Sequence, residues 1–261
     1  MPVNADANDL DTSQEASDDA LPINELFHSL QGEGKLAGVP STFVRTSGCN
    51  LRCWFCDSYH TSWEPTHGWM DIDDVVAEVT AHGGEHVVVT GGEPMIHDGI
   101  ESLIEQLAAD GYHVTVETNG TVFRDLPIDL ASISPKLASS TPTTDRPPAG
   151  GDADVGNWAA RHEDERLDYD ALAALVDAYD SQLKFVVTSR GDVDEIESLV
   201  EELRARTSVQ IPNDDILLMP EGTTREQLEQ TRDLTAELAL EYGYRYTPRL
   251  HVDLWDDAPG T

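Results

Sequence analysis

The chain has three cysteines, Cys49, Cys53 and Cys56, all within eight residues of the stretch G-C-N-L-R-C-W-F-C-D-S, Gly48 to Ser58. At C-x3-C-x2-C spacing, three thiolates can turn toward one small metal centre held in a loop. Iron–sulfur clusters are held by cysteine thiolates, normally four of them, so three leave one iron open to a bound molecule. The same three with His60 also make a Cys3His set of the kind that structural zinc takes. A disulfide framework is disfavoured, because an odd count leaves one thiol over and Met1 to Ala20 does not read as a secretory leader.

Two further stretches offer ligand chemistry. In G-G-E-P (Gly91 to Pro94) the glycines allow a close backbone approach and Glu93 supplies an acceptor; the plain alternative is a strand-to-helix turn with a helix-start proline. In S-P-K (Ser134, Pro135, Lys136) the plain alternative is a strand-end turn with a solvated lysine. The chain has only three lysines, Lys35, Lys136 and Lys184, which tips Lys136 toward ligand contact.

These residues need elements to position them. Ser41 to Thr46 reads as a first strand feeding the cysteine loop. Ile72, Val75, Val76 and Val79 recur at helical spacing after Asp71, and Gly83-Gly84 ends that helix. His86 to Thr90, His113 to Glu117, Leu130 to Ser134, Gln182 to Thr188, Asp215 to Met219 and Tyr246 to His251 read as strands. Helices are expected at about 98–110, 168–179, 192–206 and 223–242. Strands alternating with amphipathic helices imply βαβ units and a parallel sheet. The cysteine loop, G-G-E-P, T-N-G, S-P-K and P-E-G each follow a strand, so they share the face where α/β barrels carry their chemistry. About six βα units are too few for an eightfold barrel, which predicts a partial, open α/β barrel. No G-x-G-x-x-G and no G-x-x-x-x-G-K-[ST] occurs.

The chain of 261 residues suits one sizeable domain over 21–261, with 1–20 expected as an acidic disordered tail and 139–166, rich in Pro, Gly and Asp, as a surface loop insertion. Fifty acids against sixteen bases give a net charge of −34. Such a charge repels itself in dilute buffer and is screened at high salt, which points to a halophile. It disfavours binding to a nucleic-acid backbone, which needs a positive surface. No apolar run approaches the ~18 residues of a membrane span, so a cytoplasmic protein is expected.

L-Q-G-E-G, F-V-R-T-S-G-C-N-L-R-C-W-F-C-D-S, T-G-G-E-P, E-T-N-G, S-P-K and a C-terminal L-H-x-x-x-W occur in that order over about 21–255. This combination resembles the 7-carboxy-7-deazaguanine synthases, which are radical S-adenosylmethionine (SAM) enzymes. The resemblance implies a [4Fe-4S] cluster on Cys49, Cys53 and Cys56, with SAM on its fourth iron. It implies conversion of 6-carboxy-5,6,7,8-tetrahydropterin to 7-carboxy-7-deazaguanine with loss of ammonia, begun by a 5′-deoxyadenosyl radical. SAM contacts would fall on Phe55, Cys56, Asp57, Gly91, Gly92, Glu93, Ser134, Pro135, Lys136, Met219, Pro220 and Glu221. Substrate contacts would fall on Leu30, Gln31, Gly32, Glu33, Arg45, Thr90 and His251.

The chain departs from the family pattern at two places. Ser58 stands where threonine usually supplies the hydroxyl ligand to Mg2+; it keeps the oxygen donor, so the metal is retained as an expectation. Met219 stands where a glutamine commonly precedes Pro220 and cannot supply that amide. A homodimer and an electron donor such as flavodoxin or ferredoxin are also implied. Two other readings stay open: a glycyl-radical-activating enzyme, which shares C-x3-C-x2-C and G-G-E-P but leaves Q-G-E-G and Arg45 without a role, and a non-enzymatic Cys3His zinc module.

Overall fold

The alternating pattern folds as one ten-stranded sheet in the computed structural model, which describes residues 5–6, 19–148, 155–256 and 258. Strands β3 (Pro40–Thr46), β5 (His86–Gly91), β6 (His113–Thr118), β7 (Leu130–Ile133), β8 (Ser181–Val187), β9 (Ile216–Pro220) and β10 (Arg245–Tyr246) run parallel in that spatial order. Helices α2 (Ile72–His82), α3 (Ile100–Ala109), α5 (Tyr169–Ala178), α6 (Val193–Arg206) and α7 (Arg225–Tyr242) connect them. The result is an open α/β barrel, as the pattern predicted.

Strand alternation sorts side chains between the two faces of the sheet. On the helix side, Val44, Val87, Val89, Val114 and Val116 pack with Val75, Val79, Leu103 and Leu107 of α2 and α3. Ile133, Leu183, Phe185 and Leu218 pack with Leu172, Ile196 and Leu203 of α5 and α6. Each such buried aliphatic side chain contributes roughly 1.5–3 kcal/mol relative to exposure. On the other side, the intervening residues make the barrel interior: Phe43 and Arg45, Val88 and Thr90, Thr115 and Glu117, then Ser132, Gln182 and Lys184. Phe27 and Phe43 stack at 4.9 Å between ring centroids against Val88. The interior is thus apolar at its floor and charged toward the strands' carboxyl ends.

Four segments differ from the sequence reading. The first is β2 (Ala20–Leu30), which lies antiparallel to β3, so Ser41 to Thr46 is not the first strand. A bulge between Ile23 and Glu25 shifts the register, and Leu21 and Ile23 join the same core as Leu26. That shift breaks the period-two pattern by which a strand is recognised. Two short strands flank it: β1 (Ala5–Asp6) and β4 (Gly68–Asp71) both pair antiparallel with β2. The rest of the expected N-terminal tail, apart from Asp19 and Ala20, lies outside the described residues.

The second is a short helix after the cysteines, α1 (Tyr59–Ser62). The third is the expected surface loop at 139–166, which carries a 3-10 turn at Ala138–Ser140 and the helix α4 (Val155–Glu165), with Ser140 and His162 fully buried. The fourth is the C-terminus. Tyr246 to His251 was expected as a strand, but only Arg245–Tyr246 pairs with β9. Thr247 N–H still reaches Leu218 O, Pro248 then has no N–H to donate, and the chain turns into α8 (Leu250–Trp255).

Candidate active site

The cysteine loop leaves the carboxyl end of β3 and is locked against the end of β5. Gly92 N–H donates to Thr46 O and Glu93 N–H to Gly48 O. A Cβ on Gly91 would stand 2.2 Å from Thr46 O, and one on Gly92 would stand 2.2 Å from Gly48 O. Both glycines of G-G-E-P are therefore required where two strand ends touch. Glu93 is fully buried and ties this turn to T-N-G: it accepts from Met95 N–H, Thr118 Oγ1 and Asn119 N–H, the last at 2.6 Å. Burial pushes its carboxyl up, against the pull of those donors.

Cys53 is buried, and Cys49 and Cys56 are partly so. Burial pushes all three thiols up, Cys53 to about 12. Donors are nevertheless aimed at the sulfurs: Leu51 N–H at Cys49 Sγ, 3.4 Å, and Ser62 Oγ at Cys56 Sγ, 3.1 Å. The Lys136 ammonium acts on Cys53 and Cys56 from S-P-K, and its Nζ donates to Ser134 Oγ. Thiols held neutral by burial yet facing donors and a cation suit a positive metal centre, which removes their protons. His60 is exposed on α1.

Beside this loop, Q-G-E-G crosses the open side of the barrel. Gln31 Nε2 donates to Glu117 Oε1 at 3.1 Å and its own Oε1 accepts from Glu33 N–H. Glu33 bridges Lys184 of β8, 2.5 Å, and Arg249, 3.0 Å. Gly34 N–H meets Thr247 Oγ1, and Lys35 N–H meets Gln182 Oε1. The ring of His251 lies on Gly32, where a Cβ would stand 1.8 Å from its Nδ1. The first glycine of Q-G-E-G is thus the seat of the histidine from α8.

Arg249 is the hub of this seam. It ion-pairs with Glu33 and with Asp57 of the cysteine loop, and donates to the carbonyl of Gly222, the glycine of P-E-G, at 2.7 Å. Burial alone would raise Glu33, yet Lys184 and Arg249 hold its carboxyl far below the usual carboxylate range, and Lys184 is raised in turn by Glu117 and Glu33 against its own burial. Asp57, about half exposed, is likewise lowered, its desolvation outweighed by Arg249. Burial lowers His251 despite nearby Glu33.

The other expected positions line the same mouth. Arg45 donates to Ser58 Oγ at 2.8 Å, but its Nε pairs with Glu25, which was not anticipated. Ser58 Oγ in turn donates to Asp57 Oδ1. Thr90, Met219 and Pro220 are buried at strand ends, and Glu221 N–H continues the β8 ladder to Val187 O. Lys184, Arg249, Glu117 and Gln182 escaped the sequence reading. Alternation along β6 and β8 points all but Arg249 inward; what marks them is charge or amide inside a strand that should otherwise be apolar.

Residues 43–139 match the family model of the Radical SAM superfamily. The chain is 62% identical over 262 residues to the 7-carboxy-7-deazaguanine synthase of Halobacterium salinarum, covering all of both chains. The chain belongs to the 7-carboxy-7-deazaguanine synthase family. It is also 42% identical to the synthase of Rhodopirellula baltica, over 94% of this chain and 91% of that one. Among solved structures, QueE from Escherichia coli is similar, with a TM-score of 0.63 at 25% identity, covering 89% of this chain and 95% of that chain. In this family member the radical SAM match runs from β3 through S-P-K, and the charged seam formed by Lys184 and Arg249 lies beyond it.

Proposed function

We propose that this chain converts 6-carboxy-5,6,7,8-tetrahydropterin to 7-carboxy-7-deazaguanine and ammonia as a radical SAM lyase of 7-deazapurine biosynthesis. The observation that carries this reading is the junction at Arg249. One guanidinium joins the cysteine loop through Asp57, Q-G-E-G through Glu33 and P-E-G through Gly222, so metal loop and substrate segment meet at one mouth.

Cys49, Cys53 and Cys56 would hold a [4Fe-4S] cluster, with Phe55, Asp57, Gly91 to Glu93, Ser134 to Lys136 and Met219 to Glu221 around SAM. The chemistry these groups supply when bound is one-electron reductive cleavage of SAM, which opens hydrogen-atom abstraction from the pterin. The chain's own residues bind and orient the substrate. Gln31 and Glu117 offer an amide and a carboxylate to the pterin's hydrogen-bonding edge. Glu33 is held ionised by two cations, so it presents an acceptor to N–H groups. Arg45 suits the substrate carboxylate, beside Ser58, whose hydroxyl would complete a Mg2+ site with that carboxylate. Leu30, Gly32, Thr90 and His251 complete the pocket wall, and the Q-G-E-G crossing keeps water from its open side.

The charge of −34 and the likeness to the Halobacterium enzyme support a halophile with a high-salt interior. No described helix is long and apolar enough to cross a membrane. A cytoplasmic homodimer fed by a flavodoxin or ferredoxin is the working assembly, with 21–261 as one domain. The test is anaerobic purification in high salt, then turnover with SAM, a reductant, Mg2+ and the pterin. Product formed over many turnovers of each SAM is expected; SAM cleavage without product would overturn the substrate assignment.

A further inference from the structure

Within 139–166, expected to be a surface loop, residues 139–140 and the helix α4 pack directly on the cysteine loop. Trp158 and His162 lie four residues apart on α4 and so share one face of the helix. Both grip Arg52, which stands between Cys49 and Cys53. The guanidinium of Arg52 lies 4.2 Å over the ring of Trp158 while donating to Cys49 O at 2.6 Å and Leu51 O at 2.8 Å. The backbone N–H of Arg52 donates to Nδ1 of His162 at 3.1 Å. Next in sequence, Trp54 donates its backbone N–H to Ser140 O and its indole N–H to Ser139 O.

The hydrogen-bond chain through His162 has one consistent sense. A backbone N–H can only donate, so Nδ1 of His162 must accept and its proton sits on Nε2. Nε2 then donates to Ser140 Oγ at 2.8 Å, and that hydroxyl gives its own proton to Leu137 O at 2.6 Å. The ring is fully buried, and its burial lowers it to about 4, in keeping with the neutral form that this chain of bonds requires. The path links the residue after S-P-K to the residue before Cys53, with both ring nitrogens of His162 and the Ser140 hydroxyl paired.

We propose that α4 is a brace for the metal loop and that His162 is a positioning residue, fixing the backbone between Cys49 and Cys53 through Arg52 N–H. The proposal rests on the reading that these cysteines hold a cluster, but it concerns a residue 110 positions away in a segment outside the radical SAM match. Losing one buried hydrogen bond of this kind is expected to loosen the loop about tenfold.

Two readouts test it: hydrogen exchange of amides 50–54 in the metal-free chain, and the rate at which a ferrous-iron chelator strips the loaded, reduced chain. Asparagine places an acceptor near Nδ1, whereas glutamine places its amide near Nε2. His162→Ala and His162→Gln should exchange and lose iron about tenfold faster, and His162→Asn should stay within about threefold of the original. If alanine at 162 prevents folding, Trp158→Ala, which frees the guanidiniums of Arg52 and Arg161 and keeps the His162 bond, should still speed iron loss severalfold. Unchanged exchange and iron release in His162→Ala, or rescue by glutamine as good as by asparagine, would overturn the role of His162. An original chain that takes up no iron would instead sink the cluster reading, and the brace with it.

Discussion

The cysteine loop and the Q-G-E-G seam meet at one mouth but are held by different forces. Around the thiols the direct contacts are hydrogen bonds from neutral donors, Leu51 N–H to Cys49 and Ser62 to Cys56, with Arg52 N–H to His162 behind them and the Lys136 ammonium acting on Cys53 and Cys56. Across the seam they are ion pairs, with Glu33 between Lys184 and Arg249, and Asp57 on the far side of Arg249. A metal centre supplies its own charge, so its loop needs shape and donors. A pocket for a polar, carboxylated heterocycle needs fixed charges already in place, and burying them is stable only while each has its partner.

Removing a partner from the buried seam should therefore have the largest effect. Arg249→Ala leaves Glu33 and Asp57 without their shared cation, and is expected to cost roughly 3–5 kcal/mol in urea unfolding at pH 7. A loss under about 1 kcal/mol would mean that the seam is not a buried ion network.

The pH dependence sharpens the contrast. Glu33 lies below its ordinary value near 4.5, so its stabilisation is fully present above that pH and is lost as pH falls further. Lys184 lies above its ordinary value near 10.5, so its share is fully present below that pH and is lost only as pH rises well beyond it. The seam's own contribution to the stability of the metal-free chain should be flat between these limits and fall on the acid side, and Glu33→Gln should remove that part of the acid limb. An acid limb unchanged by Glu33→Gln would assign it to other carboxylates.

A smaller effect is expected at Ser58. Ser58→Ala should weaken the Mg2+ dependence of turnover about tenfold, by loss of one oxygen ligand of several, with Ser58→Thr unaffected. Unchanged Mg2+ dependence in the alanine variant would remove Ser58 from a metal site.

The same contrast explains what could be read from the sequence. The metal loop is local, its residues adjacent in the chain, and the strands behind it are short β-branched runs; both were legible. The seam joins residues 151 and 216 positions apart, and nothing in the spacing of Lys184 or Arg249 announces their partner. The strand β2 was hidden by its bulge, and α4 by a polar sequence in which only Trp158 and His162 face the loop. His251 was read as a site residue on a strand; it reaches the site from α8, because Pro248 ends the pairing one residue after Thr247.

The most direct test of the division between the two regions is iron content measured beside the pterin KM in Lys184→Gln. Lys184 touches the seam through Glu33 and Glu117 and makes no ion pair with the cysteine loop. The account predicts iron per chain equal to the original, and a KM raised about tenfold or more as Glu33 loses one of its two cations. Iron lost in parallel with activity, or an unchanged KM with iron intact, would contradict it.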